Sequence, residues 1–368
     1  MIVDRLLPVV GVPLDRPSRL TLPPNLRTPV EQIEYRCELR TNSRGLRGPE
    51  RRLRKPLSVR RLVLLGDERT FGRGVSAEDT FAARLDARRE NVQVINCGQP
   101  GANTLRQARI LHYVGLDYDP DLVVVCVSAD DVTDMPTTPI AEAFPLAPER
   151  PGVAGRFWPN LAAHRAAAGQ RRRFAEPRPE TDFAARTVET AEKKGIAPAR
   201  IEVWRERMEE LPRLVRAACE HRFDGSVLAS GLLWRHCWPH RLNLDANWTE
   251  SRWRSLRTAL RTIRDEASRR GAATVIVFLP APAQYDARRF VFLKSLGYEL
   301  PAYIHDERSR FQAELSRWCG DRGISFLDLT PVFRAHDDPA ALSHRYSGCL
   351  TAAGHALIAE ELAARLPE

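Results

Sequence analysis

Short apolar runs alternate with longer amphipathic stretches along most of the chain. The runs at 122–127 and 275–279 are continuously apolar, which is typical of strands with both faces buried. With the shorter runs around them, the pattern predicts five strands, at 61–65, 92–96, 122–128, 274–279 and 325–329. A stretch of alternating residues that begins at Tyr35 predicts an edge strand followed by a turn.

The stretches between these strands predict helices at about 78–90, 104–115, 202–222, 249–270, 304–322 and 351–366. Thr104 and Thr249 are interpreted as N-caps, and Gly271 and Gly323 as glycines that end helices. Strands that alternate with helices indicate an α/β fold, with a parallel sheet covered on both faces.

Two segments depart from this alternation. Residues 1–57 are rich in proline and arginine and are interpreted as an irregular N-terminal extension. After the third predicted strand, a proline-rich stretch of mixed charge with no sustained period begins near residue 135. We therefore predict one domain over 58–368, interrupted by an insertion at about 135–225.

The composition fits a globular protein, because 43% of the 368 residues are hydrophobic and can form a full core. The net charge is +9, and lysine supplies only four of the 56 basic residues. No aromatic residues are interleaved with the basic clusters at 51–55 and 171–173. We therefore interpret the arginines as solvated helix faces and do not expect nucleic acid as a partner.

Cysteine usage and hydropathy bear on location. The seven cysteines are scattered without a Cys-x-x-Cys pair, which argues against a disulfide framework or a zinc site and favours a reducing cytoplasm. No apolar run approaches the ~18 residues that a membrane-spanning helix needs. The apolar stretch at 6–13 is broken by prolines and is interpreted as extended chain rather than as a signal peptide.

Several short motifs follow one another along the predicted sheet. The tripeptide Gly-Asp-Glu at 66–68 follows the first strand, and Asn-Cys-Gly-Gln-Pro-Gly at 96–101 follows the second. Ser-Ala-Asp-Asp at 128–131 follows the third, and Leu-Thr-Ala-Ala-Gly-His at 350–355 opens the last helix. In this order and spacing, the motifs resemble those of the SGNH/GDSL hydrolases. The resemblance implies a flavodoxin-like three-layer sandwich around a central parallel sheet.

The resemblance also implies a site in which two polar groups have changed. In active members of the family, a serine in the first motif attacks an acyl carbonyl, and an asparagine in the third donates to the oxyanion. Glu68 occupies the serine position here, and Asp130, beside Asp131, occupies the asparagine position. A glutamate has no hydroxyl to activate, and an ionised aspartate has no hydrogen to donate.

The aspartate and histidine of the family's triad are replaced as well. Counting back from the last motif puts Tyr346 at the aspartate position and Cys349 at the histidine position. His355 then matches the family's second, structural histidine. Of the oxyanion-binding groups, only the glycines of the second motif, Gly98 and Gly101, are retained.

We interpret these coordinated replacements as the mark of a non-catalytic pseudo-esterase with a binding or scaffolding role. Its cleft is expected to take a small acyl or glycosyl ligand, and its surface a protein partner; no cofactor and no metal is predicted. The alternative is an active hydrolase of O-acyl or O-acetyl esters that uses Glu68 or Cys349 as a replacement group.

A divalent-metal site is a further alternative, because carboxylates follow two neighbouring strands at the edge where such sheets bind ligands. Their oxygens suit Mg²⁺ or Ca²⁺. The residues are Asp67, Glu68, Asp130 and Asp131.

Two other features stay open. His344 with Asp337 or Asp338 would form a replacement dyad if the loop were rearranged. The segment at 234–240, Trp-Arg-His-Cys-Trp-Pro-His, has three interpretations: a wall of aromatic and imidazole side chains facing a ligand, a metal site with His236 and His240 as ligands at i and i+4 spacing, or a strand exit with packed tryptophans. We prefer the strand exit, because Pro239 argues against a helix that would align His236 with His240.

Overall fold

The computed structural model describes residues 20–135, 180–244 and 246–367. Strands β1 and β2 form an antiparallel hairpin, and the other five strands form a parallel sheet in the order β4-β3-β5-β6-β7. The strands are β1 (Arg27–Glu31), β2 (Arg36–Arg40), β3 (Arg60–Leu65), β4 (Val92–Asn96), β5 (Leu122–Val127), β6 (Ala273–Phe278) and β7 (Ser325–Asp328).

Helices connect these strands and cover both faces of the parallel sheet. Before β6 they are α1 (Glu68–Phe71), α2 (Phe81–Arg88), α3 (Thr104–Ile110), α4 (Asp130–Thr133), α5 (Glu180–Lys193), α6 (Pro198–Glu209), α7 (Pro212–Cys219), α8 (Ser226–Leu233), α9 (Cys237–Asn243) and α10 (Thr249–Arg269). After β6 they are α11 (Ala287–Ser295), α12 (Tyr303–Asp306), α13 (Arg310–Gly320), α14 (Thr330–Ala335) and α15 (Ala352–Arg365).

The parallel sheet lies where the apolar pattern predicts it, and each strand bound differs from its prediction by at most one residue. All six residues of β5 are buried, which explains its continuous apolar run. With β3 between β4 and β5, the strand order is the flavodoxin-like one, and the predicted fold class is confirmed. The order reverses between β3 and β5, and such sheets bind ligands outside the carboxyl ends of the strands at this point.

The two faces of the sheet support separate hydrophobic clusters, because successive side chains of a strand point in opposite directions. On β3, Val63 and Leu65 belong to one cluster, with residues of α3, α10 and α13. Leu62 and Leu64 belong to the other, with residues of α2 and α15. Helices thus cover both faces of the sheet, and the carboxyl ends of its strands are left as the place for a ligand site.

Helices α5 to α9 form an additional layer outside this sandwich, which we call the helical cap. They pack around buried side chains such as Trp204 and Leu228, and the cluster includes Phe292 and Leu293 of α11. The cap extends to Asn243, beyond the predicted end of the insertion at 225. Much of the predicted insertion falls on residues 136–179, which lie outside the described residues.

Helix breaks and ends follow local chemistry. The helix predicted at 202–222 is divided into α6 and α7 before Pro212, because the residue that precedes a proline is driven out of the helical conformation. The helix predicted at 304–322 is divided into α12 and α13, and the Ser309 side chain caps the second. Gly271 and Gly323 have φ angles of +77° and +62°, which confirms them as glycines that end helices.

Both predicted threonine caps are wrong. The cap of α3 is Asn103, whose side chain accepts a hydrogen bond from the Arg106 amide. The Thr104 hydroxyl instead donates to the buried Asp131. Helix α10 has its cap at Trp248, and the Thr249 hydroxyl donates to the carbonyl of Leu244. In both cases the threonine is the first helical residue.

The hairpin of β1 and β2 packs against the main domain. Leu26 and Leu39 form a small buried cluster with Phe71 of α1. The predicted edge strand corresponds to β2, which pairs with β1 and not with the parallel sheet. The Ile33 amide at the hairpin tip donates to the carbonyl of Arg222, in the turn that follows α7. Within the described ranges, no helix is long and apolar enough to cross a membrane.

Candidate active-site cleft

The first motif forms a tight turn between β3 and α1. A Cβ atom on Gly66 would lie 2.0 Å from the Thr70 hydroxyl, so the turn requires glycine there. The Asp67 side chain caps α1 by accepting the Arg69 amide at 2.9 Å. Burial and the neighbouring Glu68 raise the pKa of Asp67 well above its usual range. The turn therefore holds Glu68 at the carboxyl end of β3, beside the reversal of the strand order.

The Glu68 carboxylate lies against the loop of the second motif. One of its oxygens accepts the Gly101 amide at 3.4 Å. Gly98 plays a different part, because its amide donates to the Asn96 side chain and a Cβ there would lie 2.6 Å from the Phe71 nitrogen. Of the two glycines that the sequence indicates, Gly101 contacts Glu68, and Gly98 lets α1 pack closely on the loop.

Asp130 and Asp131 follow β5 and face different surroundings. Asp130 pairs with Arg69 at 3.4 Å and accepts the Ser128 hydroxyl at 3.1 Å. Although burial opposes ionisation, the guanidinium groups of Arg69 and Arg241 lower the pKa of Asp130 to about 2. It is therefore an anion at neutral pH and has only acceptors to offer.

Asp131 is an interior residue, only 4% exposed. Its oxygens accept the Thr104 hydroxyl and the Ser128 amide, each at 2.8 Å. Burial raises the pKa of Asp131 to about 7. The side chain ties the end of β5 to α3 and does not line the cleft.

The loop at 343–350, which carries the positions of the family's aspartate and histidine, is held from two sides. The Glu34 carboxylate at the hairpin tip accepts the amides of Tyr346 at 2.8 Å and Ser347 at 2.6 Å. From the other side, the nearly buried Arg289 donates to the carbonyls of Arg345, at 3.0 Å, and Tyr346. The backbone of this loop is thus bound by an acceptor and a donor that lie 255 positions apart in the chain.

Cys349 lies in this loop beside Tyr35, Arg73 and Glu68. Burial, helped by the Glu68 charge, raises the pKa of the Cys349 thiol against the opposing effects of Arg73 and Ser347. Burial also raises the pKa of Tyr35, which is hydrogen-bonded to Arg73. At neutral pH both groups keep their protons, so neither is a base for the other.

The histidines of this region are not placed for base catalysis. The His344 ring packs against Tyr35 at a tilt of 35°, with 5.3 Å between ring centroids, and burial lowers the pKa of His344. Asp338 accepts the amides of Ala340 and Ala341. Within the described part of the chain, neither Asp337 nor Asp338 forms a hydrogen bond or ion pair with His344.

His355 is fully buried, and its Nδ1 accepts the Phe81 amide at 3.2 Å. Burial lowers the pKa of His355 to about 3, which keeps the ring neutral. Its contacts are those of a structural histidine.

The segment at 234–240 forms one wall of the cleft. The predicted strand exit is wrong: helix α9 begins at Cys237, and Pro239 lies in its first turn, where a proline needs no amide partner. The side chains of Trp234, Trp238 and His240 line the cleft. His236 also lines the cleft and pairs with Glu299 at 2.7 Å, and its ring centroid is 6.0 Å from that of His240.

The cleft between this wall, the first motif and the loop at 343–350 has a volume of about 1230 Å³. Its lining includes several residues that the motifs do not reveal, because they come from distant segments: Tyr35, Arg73, Arg241, Arg252 and Arg289. Of these, only Arg73 had a local signal, since it follows the first motif by five positions. The described residues contain no group of three or more acidic, histidine or cysteine side chains arranged to hold a metal ion.

The sequence model of the GDSL-like lipase/acylhydrolase family matches residues 64–252, which is about half of the chain. The chain belongs to this family. The match runs from β3 into α10, so it contains the first three motifs and the whole helical cap. The loop with Tyr346 and Cys349 lies outside the matched range.

Solved structures of GDSL-family proteins are similar to this one at low sequence identity. A member of the lipolytic protein G-D-S-L family from Veillonella parvula is 10% identical, with 84% of this chain and 98% of that chain covered and a TM-score of 0.39. An extracellular lipase from Streptomyces rimosus is 13% identical, with 83% and 100% covered and a TM-score of 0.38. A comparison with curated proteins gave no match.

Proposed function

We propose that this GDSL-family protein is a non-catalytic, ligand-binding member, a pseudo-esterase whose cleft serves recognition. The observation that carries the proposal is the contact between the Glu68 carboxylate and the Gly101 amide, at 3.4 Å. A carboxylate at the nucleophile position has no hydroxyl to activate. Its charge also lies against an amide of the second motif, where a second anion would be repelled.

Among the described residues, the surroundings of Glu68 supply no substitute for the missing base. Cys349 keeps its proton at neutral pH, because burial raises its pKa. Tyr346, at the family's aspartate position, packs its ring on Phe292 with 5.1 Å between centroids. Loss of a nucleophile or its base lowers kcat by roughly a million-fold in serine proteases, and loss of one oxyanion donor by ~10²–10³. Together these losses leave no useful rate of acyl transfer.

Ester hydrolysis through Cys349 is the second candidate function, and one observation favours it. Arg73 faces the thiol and stabilises its thiolate form. A cysteine beside an arginine is a common arrangement in thiol enzymes. Burial affects the pKa of Cys349 more than Arg73 does, however, so the thiol form is favoured. We therefore rank this candidate below the binding role.

Hydrolysis of p-nitrophenyl acetate by the purified protein tests the proposal. We expect wild type, Glu68→Ala and Cys349→Ala to match the buffer rate. Cys237→Ala is the matched control, because Cys237 also lines the cleft and also has a raised pKa. A wild-type rate well above buffer that collapses in Glu68→Ala or Cys349→Ala, but not in Cys237→Ala, would sink the pseudo-esterase proposal.

A cytoplasmic location and the domain limits belong to the same proposal. No disulfide joins any two of the seven cysteines, all of which lie in the described ranges, as suits a reducing compartment. We assign residues 58–368 to one domain and treat residues 1–57 as an extension whose hairpin docks beside the cleft. The small acyl or glycosyl ligand and the protein partner expected from the sequence stay predictions.

A further inference from the structure

The charge of the cleft points to the chemistry of its ligand. Eight basic side chains and four acidic ones are found among the described residues that line it. The volume, about 1230 Å³, exceeds the ~300–1,000 Å³ usual for small-molecule sites. A large cavity with an excess of cations favours an anionic ligand, because low-dielectric walls strengthen the field of the lining charges.

Three arginines from different elements meet at α4, directly after β5. Arg69 of α1 pairs with Asp130 at 3.4 Å. The Nε of Arg241, on α9, donates to the Thr133 hydroxyl at 3.2 Å. Arg252 of α10 donates to the Thr133 carbonyl. We call these three residues the arginine cluster.

The arginine cluster has more donors than the protein satisfies. Asp130 is the one carboxylate within ion-pair distance of the cluster in the described ranges. Two buried donor atoms, Nη1 of Arg69 and Nε of Arg252, have no hydrogen-bond partner among the described residues. Buried polar atoms are nearly always paired, so each such atom calls for an explanation. An anionic oxygen group in the cleft would supply acceptors to both.

Aromatic rings adjoin the arginine cluster. The Arg252 guanidinium lies 4.5 Å from the centroid of the Trp248 ring, and that of Arg241 lies 5.9 Å from the Trp238 ring. Trp248 is 36% exposed. An exposed indole next to a set of guanidinium groups suits a ligand that carries a ring or another apolar group beside its charge.

We infer that the cleft binds an anionic ligand, with a phosphate or carboxylate group at the arginine cluster and an apolar ring against Trp248. The inference rests on the proposed function, because it names the ligand class of the same cleft. It accounts for the unpaired guanidinium atoms and for the cap helix that contributes Arg241, neither of which ester hydrolysis requires.

Titration calorimetry with phenyl phosphate, benzoate and phenol tests the inference on the full-length protein. We expect at least one of the two anions to bind at millimolar concentration or below, and phenol, their neutral counterpart, to bind at least about ten-fold more weakly. If both anions bind, the site accepts carboxylates and phosphates alike; if only phenyl phosphate binds, the ligand is a phosphoryl compound. Failure of both anions to bind, or equal binding of phenol, would overturn the inference.

Arginine variants locate the site. Arg252→Gln should weaken binding of the anion about ten-fold or more, the loss typical of a hydrogen bond between charged groups. Arg254→Gln is the matched control, because Arg254 lies on the same helix, is 60% exposed and does not line the cleft. It should leave the affinity unchanged within two-fold. An equal loss in both variants would show non-specific attraction and contradict the assigned site.

Arg252→Gln also removes a hydrogen bond to Thr133, so its thermal midpoint is measured beside its affinity. If that variant does not fold, the salt dependence of the wild-type protein tests the inference. The affinity for the anion must fall as the salt concentration is raised, whereas the affinity for phenol must not. The ester assay separates the two proposals. If the protein binds anions and also hydrolyses esters, the pseudo-esterase proposal is refuted and the anionic ligand stands. If it does neither, the pseudo-esterase proposal stands and the anionic ligand is refuted.

Discussion

The contact between the hairpin and the loop at 343–350 leads to a quantitative prediction. Glu34 is half-buried, and its carboxylate accepts two backbone amides, of Tyr346 and Ser347. In Glu34→Ala, both amides lose a charged acceptor. Hydrogen bonds to charged groups contribute ~1.5–3 kcal/mol each, but water reaches part of this site and replaces some of the loss. We therefore expect the free energy of unfolding to fall by about 2–3 kcal/mol.

Urea unfolding at neutral pH, followed by circular dichroism, measures this change. Glu38→Ala is the matched control, because Glu38 lies on the same hairpin and its one ion pair within the described ranges is with Arg40 at the surface. Surface pairs of this kind contribute ~0–1 kcal/mol. Glu34→Gln keeps one acceptor oxygen and should lose less stability than Glu34→Ala.

A local measurement complements the global one. Cys349 is half-buried in the loop that Glu34 holds, so its thiol should react faster with an aromatic disulfide reagent in Glu34→Ala. The reasoning fails if Glu34→Ala and Glu38→Ala lose the same free energy and Cys349 reacts at the wild-type rate in both. The loop would then be held by Arg289 alone.

Two further predictions concern the interior. The pKa of His355 is lowered to about 3 in the folded protein, against about 6.5 in the unfolded chain, so the folded state binds fewer protons between these values. The contribution of neutral His355 to the free energy of unfolding is therefore complete above pH 6.5 and is lost as the pH falls toward 3. Between pH 7.5 and pH 4.5, the free energy of unfolding measured in urea should fall by ~3 kcal/mol more in wild type than in His355→Gln. In Gly66→Ala the new Cβ would lie 2.0 Å from the Thr70 hydroxyl, so we expect the free energy of unfolding to fall by ~1–3 kcal/mol. Gly320→Ala is the matched control and should lose less, because Gly320 lies in α13 with open space around it and no positive φ. Equal losses in the two variants would contradict the steric explanation.

The strands of the sheet could be predicted because their signal is local. A continuous apolar run indicates a buried strand without information from other parts of the chain, and the predicted strand bounds are correct to within one residue. Helix caps were harder, because neighbouring residues compete for the same role. Asn103 and Thr104 can both cap α3, and the outcome depends on Asp131, which lies 27 positions away and takes the Thr104 hydroxyl.

The candidate site was predictable only in its motifs. Glu68 and Asp130 could be placed near each other because they follow neighbouring strands. Arg241 and Arg252 could not, because nothing in a helix sequence shows which neighbour its side chains will face. The Trp234–His240 segment shows the same limit: Pro239 counted against a helix, but a proline in the first turn is compatible with one.

The hairpin also has a consequence for the order in which the protein is made. Glu34 and Tyr346 are 312 positions apart, so their contact cannot form until nearly all of the intervening chain has left the ribosome. During that time the hairpin tip and its carboxylate have no partner in the loop. Contacts between such distant segments form slowly, because the chain between them must first be ordered. The cleft is therefore completed only after the strands of the parallel sheet that supports it have been synthesised.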